Sequence, residues 1–287
     1  MGILMDILLD TTIDTVKLIP FLFLTYLAME YLENKAGERT IGMLLGAGKK
    51  GPIIGGILGV VPQCGFSAAA ANLYAGGVIT VGTMGGVFLS TSDEMLPILI
   101  SERTHLKTIL IILGAKMLVG VIAGILVDIV VRAMSGGGQK GLHIHEICER
   151  DHCHCEEGSI LKSAVIHSLQ IVVFIFVITF VLNMAVEWIG MEQIVRMASA
   201  YPVLSIFLAG LVGMIPNCAA SVTITTLYLE GVLSAGSMFA GLLSCAGIGL
   251  LVLFRMNKDW KKNLMIAGGL YGISVICGIV VEMIAHL

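Results

Sequence analysis

Charge is what this chain has least of. Only 13% of its 287 residues are Asp, Glu, Lys or Arg, against about 25% in a soluble domain. With 57% hydrophobic residues, the shortage excludes an ordinary soluble fold and makes the lipid bilayer the main partner. A basic face is missing too. The net charge is −3 and the Lys and Arg residues gather in a few connecting loops, so no nucleic-acid partner is expected. Before Asp6 there is neither the basic n-region nor the small-residue cleavage site of a secretory leader, so the first span is expected to be retained. The seven cysteines lack the spacing of a disulfide scaffold: Cys64, Cys218, Cys245 and Cys277 lie in apolar segments, and Cys148, Cys153 and Cys155 share one loop. Free thiols or ligands are expected instead. No Gly-x-x-x-x-Gly-Lys loop is present, so ATP coupling would need another chain, and no enzyme is expected.

What the chain does have is an internal repeat. Pro62-Gln63-Cys64-Gly65-Phe66-Ser67 recurs 154 residues later as Pro216-Asn217-Cys218-Ala219-Ala220-Ser221. In the same ungapped register Leu73-Tyr74 meets Leu227-Tyr228, Met84 meets Met238, Leu89-Ser90 meets Leu243-Ser244, Lys107 meets Lys261, and Asp128 meets Glu282. Matches of Gly and Leu are common in apolar sequence. Pro, Cys, Tyr, Lys and an acid in one register are not, and they indicate a duplication.

The hydrophobic pattern predicts ten elements. The first half reads as a span over Thr15 to Leu32, two short pieces over Pro52 to Val61 and Phe66 to Ala75, a span over Val78 to Ile100 interrupted at Ser90-Thr91-Ser92-Asp93-Glu94, and a span over Thr108 to Val131. The second repeats it as Ile160 to Trp188, Val203 to Ile215, Ala219 to Leu229, Val232 to Phe254 and Asn263 to Ala285. The short pieces have about ten residues where a crossing takes roughly 20. Pro-Gln-Cys-Gly breaks the helix between the first two, which predicts a re-entrant or broken helical hairpin. The expected fold is thus an all-α polytopic membrane protein: a first transmembrane repeat over 1–131, a loop over 132–159, and a second repeat over 160–287. Each repeat crosses an odd number of times, which inverts the second against the first, an arrangement recurrent in secondary transporters.

Charge placement agrees with that parity. One side collects Lys35, Arg39, Lys49, Lys50, Arg132, Lys140, Arg150, Lys162, Arg255, Lys258, Lys261 and Lys262, and the other only Lys17, Arg103, Lys107 and Arg196. By the positive-inside rule the first side is cytoplasmic, in a multi-pass protein of the cell membrane with both termini outside.

Three places carry candidate chemistry. At the two hairpin tips, Gln63, Cys64, Ser67, Asn217, Cys218 and Ser221 offer amides, thiols and hydroxyls, and backbone that leaves the helix at membrane depth needs packing or a lined cavity. The plainer alternative is that Pro and small residues only let helices pack closely. In the break, Asp93 and Glu94 are candidates for binding a cation and exchanging a proton, since a carboxylate at mid-membrane costs on the order of 3 kcal/mol or more. The alternative has them capping the outer end of a shorter span. The second half has Ser244-Cys245 there and no acid, so the site is expected to be asymmetric. Lys116, inside its span, either pairs with an acid of the break or snorkels to the surface.

The third place is the central loop. His143, His145, Cys148, His152, Cys153, His154 and Cys155 put seven imidazole or thiol groups into thirteen residues. Such ligands suit zinc, copper(I) and cadmium, whereas manganese prefers oxygen. No finger spacing is visible, so a flexible collector of metal is expected, the alternative being a solvated linker. His145-Glu146 is no metalloprotease motif, because Glu149 stands where the second His is needed.

Two five-element halves with tips Pro62-Gln63-Cys64 and Pro216-Asn217-Cys218, and a His/Cys loop between them, resemble the family of ten-span heavy-metal exporters described variously as arsenic efflux proteins or manganese transporters. The resemblance covers nearly the whole chain and implies efflux of a metal or metalloid (zinc, manganese, arsenite or similar) by a secondary carrier. The thiols fit arsenite better than manganese. No resident cofactor is required, and protons are the expected coupling species. A homo-oligomer is left open. Two other readings stand beside it: a small organic-anion carrier of the same architecture, using hairpin helix N-termini, and a membrane-embedded thiol enzyme using Cys64 and Cys218.

Overall fold

Proline, glycine and hydroxyl residues cut the apolar sequence into short helices, and the cuts repeat. The computed structural model describes residues 50–62, 64–92, 95–134 and 202–285, with scattered helical positions between 5 and 27 and between 165 and 184. Among the described residues all regular structure is helical. Ten helices are continuous among the described residues: α1 (Gly51–Gly59), α2 (Cys64–Ala75), α3 (Val81–Ser90), α4 (Met95–Ser101), α5 (Leu106–Met134), α6 (Pro202–Gly213), α7 (Cys218–Leu229), α8 (Ala235–Ser244), α9 (Ile248–Met256) and α10 (Trp260–Ala285). The bounds of α2, α3 and α5 shifted by the 154-residue repeat give those of α7 and α8 and the start of α10. Much of the expected spans Thr15 to Leu32 and Ile160 to Trp188, most of the loop 132–159, and Gln63, Asp93 and Glu94 lie outside the described residues, and the described positions of the two spans are helical.

Among the described residues three stretches are long and apolar enough to cross a membrane: 106–133, 235–256 and 260–285. The outer two keep broad apolar faces uncovered, with Leu106, Leu110, Leu118, Ile122, Leu126 and Ile129 exposed on α5 and Leu264, Met265, Ile276, Val280 and Met283 on α10. Uncovered apolar area of that extent marks a face for lipid. The stretch 235–256 is almost wholly buried. Within the expected span Val232 to Phe254, helix α8 stops at Ser244 and α9 restarts at Ile248.

Packing repeats as well. Helix α1 packs on α3 and α5, and α6 packs on α8 and α10. Lipid tails are as apolar as Leu, so close backbone approach between small residues must hold such helices together. At the α3–α5 crossing a Cβ added to Gly82 would lie 2.1 Å from the Gly124 carbonyl oxygen, and one on Gly120 would lie 2.7 Å from that of Gly86. At α8–α10 the pair is Gly236 and Gly278, with 2.4 Å from a Cβ on the former to the carbonyl of the latter. The halves also exchange elements: α2 packs on α9, α7 on α4, and α3 meets α8 at the centre. One core cluster accordingly mixes Ala68, Met84 and Phe88 with Phe239, Leu243 and Leu253.

Helix ends obey the same duplication. After α2, Val78 N–H donates to Leu73 O and Gly77 N–H to Tyr74 O; after α7, Val232 and Gly231 do the same to Leu227 and Tyr228. Both are Schellman ends, which need a left-handed residue, and Gly77 (φ 75°) and Gly231 (φ 73°) supply it. At the start of α3, Thr80 Oγ1 accepts from Thr83 N, while the buried Asp128 carboxylate accepts from Gly82 N (2.8 Å) and Thr80 Oγ1 (2.7 Å). At the start of α8, Ser234 Oγ accepts from Ser237 N and Glu282 Oε2 from Gly236 N at 2.9 Å. The repeated acid is thus a helix-start cap, favoured by the positive end of the helix dipole.

A candidate ion site at the crossing of two broken helices

Helix α3 ends because its last hydroxyls turn back on the backbone. Ser90 Oγ donates to Gly86 O (2.6 Å) and Thr91 Oγ1 to Val87 O (2.7 Å), a local competition that bends helices. Thr91 then leaves the helical region (φ −53°, ψ 126°). Ser92 Oγ donates across to Val60 O at 2.6 Å, which fastens the break to the turn after α1. Thr91 and Ser92 are both buried in the protein.

The second break uses other means. Past Ser244 the chain leaves the helix at Cys245 (ψ 85°), and Ala246 N–H donates back to Ser244 O (2.9 Å). Gly247 takes φ 54°, ψ −145°, a conformation that L side chains rarely adopt, and α9 resumes. Each break abuts the end of the short helix beside it. A Cβ on Gly59 would lie 2.1 Å from Ser90 Oγ, and one on Gly213 would lie 2.1 Å from Gly241 O and 3.1 Å from the Ser244 Cβ.

Lys116 joins the two breaks. Its side chain is 1% exposed, and its ammonium donates to Thr91 O (2.5 Å) and Leu242 O (2.7 Å). Snorkelling is therefore ruled out: the lysine sits about 15 Å along α5 from Leu106 and points inward. Leu242 O belongs to the C-terminal end of α8, equivalent to roughly −0.5 elementary charge, and Thr91 O follows directly on the end of α3. Both have also lost the usual donor four residues on, because Met95 N–H goes to Ser92 O and Ala246 N–H to Ser244 O. At the repeat-related position stands the buried core residue Leu270.

Of the residues expected to form a site, two lie at this crossing. Ser244 and Cys245 form the second break, and both are buried. Ser67, fully buried on α2, lies under the start of α9, where a Cβ on Gly249 would come within 2.7 Å of the Ser67 Cβ. Asn217 acts as the N-cap of α7, its Oδ1 accepting from Ala220 N at 3.1 Å, and Ser221 is buried one turn further on. Cys64 and Cys218 open α2 and α7, and their side chains lie outside the described residues. So do Gln63, Asp93, Glu94 and the metal-ligand candidates His143, His145, Cys148, His152, Cys153, His154 and Cys155. Among the described residues no three of His, Cys, Asp and Glu come together. Sequence reasoning missed the second break and the role of two backbone carbonyls; the signals were Gly247 and a lone lysine in an apolar helix.

No family model, curated protein or solved structure matches the chain. The fold and the exposed apolar faces define an all-helical membrane protein.

Proposed function

We propose that the chain is a secondary transporter built from two inverted repeats, exporting a heavy-metal ion or metalloid across the cell membrane. The observation that carries this reading is the meeting of two repeat-related helix breaks around one buried ammonium. Backbone that leaves its hydrogen-bonding pattern inside an apolar protein is costly, and in transporters it lines the substrate and ion path. In this reading Ser67, Asn217, Ser221, Ser244 and Cys245, with Gln63, Cys64, Cys218, Asp93 and Glu94, line that path. The His/Cys loop gathers the ion on the cytoplasmic side, and one repeat moves against the other to expose the path alternately.

The test is transport by the purified protein in proteoliposomes, with Mn2+, Zn2+ and arsenite offered separately. At least one is expected to move when a proton gradient is imposed, and deleting residues 142–157 is expected to slow it several-fold. Asp93→Asn or Glu94→Gln is expected to abolish the pH-driven part. If none of the three moves, the export reading fails; if the carboxylate variants transport normally, only proton coupling is lost. An organic-anion carrier would be indifferent to the loop deletion. A thiol enzyme would lose its reaction in the Cys64→Ser, Cys218→Ser double variant with ion flux unchanged.

A further inference from the structure

We propose that the carbonyl oxygens of Thr91 and Leu242 form a binding site for a small, oxygen-preferring cation, a site that the Lys116 ammonium fills in this state and a free cation takes when the lysine withdraws. Four observations converge on it. The two oxygens come from different halves of the chain, yet both lie within hydrogen-bond distance of one nitrogen, at 2.5 and 2.7 Å. Both are released from the helix ladder, since their ordinary donors, Met95 N–H and Ala246 N–H, bond elsewhere. Leu242 O lies in the last turn of the ten-residue helix α8 and carries its negative end, and Thr91 O is turned out of the helical direction just past α3, so the point between two carbonyl oxygens favours positive charge. A further oxygen stands at the same end of α8: Ser244 Oγ is buried and has no hydrogen-bond partner among the described residues.

Carbonyl and hydroxyl oxygens select hard cations over soft ones. The site therefore differs in chemistry from the thiols expected to take the cargo, and its occupant is best placed as a coupling ion. Its role in coupling rests on the transport reading; its existence does not. Occupancy also bears on the motion. In this state Lys116, on α5, holds the ends of α3 and α8 together, so a cation that displaces the ammonium breaks the lysine's tie between the two halves. Leu270 at the repeated position means that the duplication supplies a single ammonium, not two.

The experiment compares the wild type with Lys116→Ala as purified full-length protein, by thermal unfolding in choline chloride, NaCl and MnCl2 at matched ionic strength. In choline the variant is expected to unfold about 5–10 °C below the wild type, because two buried carbonyls lose their donor. Na+ or Mn2+ is expected to restore at least half of that loss while moving the wild type by less than about 1 °C. Restoration by Na+ alone assigns a monovalent ion; restoration by Mn2+ alone assigns the metal itself. Equal midpoints for the variant in all three media overturn the proposal, wherever they fall relative to the wild type. If Lys116→Ala does not fold in choline, folding in NaCl, MnCl2 or ethylammonium chloride supports the site. Failure in every medium, for Lys116→Met as well, overturns it. Loss of the proposal in this way leaves metal transport in proteoliposomes untouched, so the two readings fail separately.

Discussion

The break after α3 and the break after α8 occupy the same place in the repeat and are made differently. The first is written in side chains: Ser90, Thr91 and Ser92 all spend hydroxyls on backbone carbonyls. The second is written in backbone, with Gly247 in a left-handed conformation and Ala246 bonded back to Ser244. The lysine that serves both stands only in the first half. Duplication has thus kept the scaffold, namely the caps at Asp128 and Glu282, the Schellman ends at Gly77 and Gly231, and the glycine crossings. It has let the charge at the centre diverge. A single site needs only one ammonium, and two at a shared crossing would repel.

The sharpest way to break that comparison is to move the charge. Lys116→Leu makes the first half read like the second and leaves Thr91 O and Leu242 O without their ammonium, which is expected to cost about 3 kcal/mol or more of stability. Adding Leu270→Lys is not expected to return the loss, because the repeat places the new ammonium toward Cys245 O and Phe88 O, the counterparts of the original acceptors, and Phe88 O already accepts from Thr91 N. Denaturant or thermal unfolding of the single and double variants reads this directly. Recovery of stability in the double variant would show instead that an ammonium from the second half reaches the same two oxygens.

Next in size are the glycine crossings. An alanine methyl at Gly82 would sit 2.1 Å from the Gly124 carbonyl and 2.5 Å from the Asp128 carboxyl; at Gly236 it would sit 2.4 Å from the Gly278 carbonyl and 2.6 Å from a Glu282 carboxylate oxygen. Because the nearest atoms include backbone that cannot swing aside, Gly82→Ala and Gly236→Ala are each expected to destabilise by about 1–3 kcal/mol. The Gly82 variant should suffer more, since Asp128 also holds Thr80 Oγ1 and is buried. Unfolding midpoints for the two, measured side by side, check both the size and the order.

These particulars show what was legible beforehand. The 154-residue register foretold the helix bounds because turns and caps are set by local residue types, which a duplication carries along. The first break was legible because five consecutive polar residues interrupt an apolar run. The second was not, because Ser-Cys-Ala-Gly is apolar enough to pass for helix and only Gly247 marks the turn. Lys116 stood out as a charge in an apolar span, but its two carbonyl acceptors were beyond a reading of side chains: every residue carries a carbonyl, and which ones are set free is decided by where two distant helices end. Asn217, expected as a site amide, spends its oxygen on the start of α7, the ordinary role of Asn before a helix.

The smallest expected effect tests what covers the outer helices. Gly114 and Gly268 are repeat partners on α5 and α10, both exposed, and a Cβ on either meets nothing within 4 Å. If lipid alone lies against them, Gly114→Ala and Gly268→Ala should gain helix propensity without a clash and stabilise by up to about 0.5–1 kcal/mol. If instead that face packs on a second copy of the chain, the small residues become the close-approach surface of an oligomer, and the sign reverses. Unfolding midpoints measured together with the oligomeric state in detergent separate the two cases. A loss of stability in either variant, accompanied by dissociation to monomer, would show that one outer helix is a contact between copies and not a lipid face.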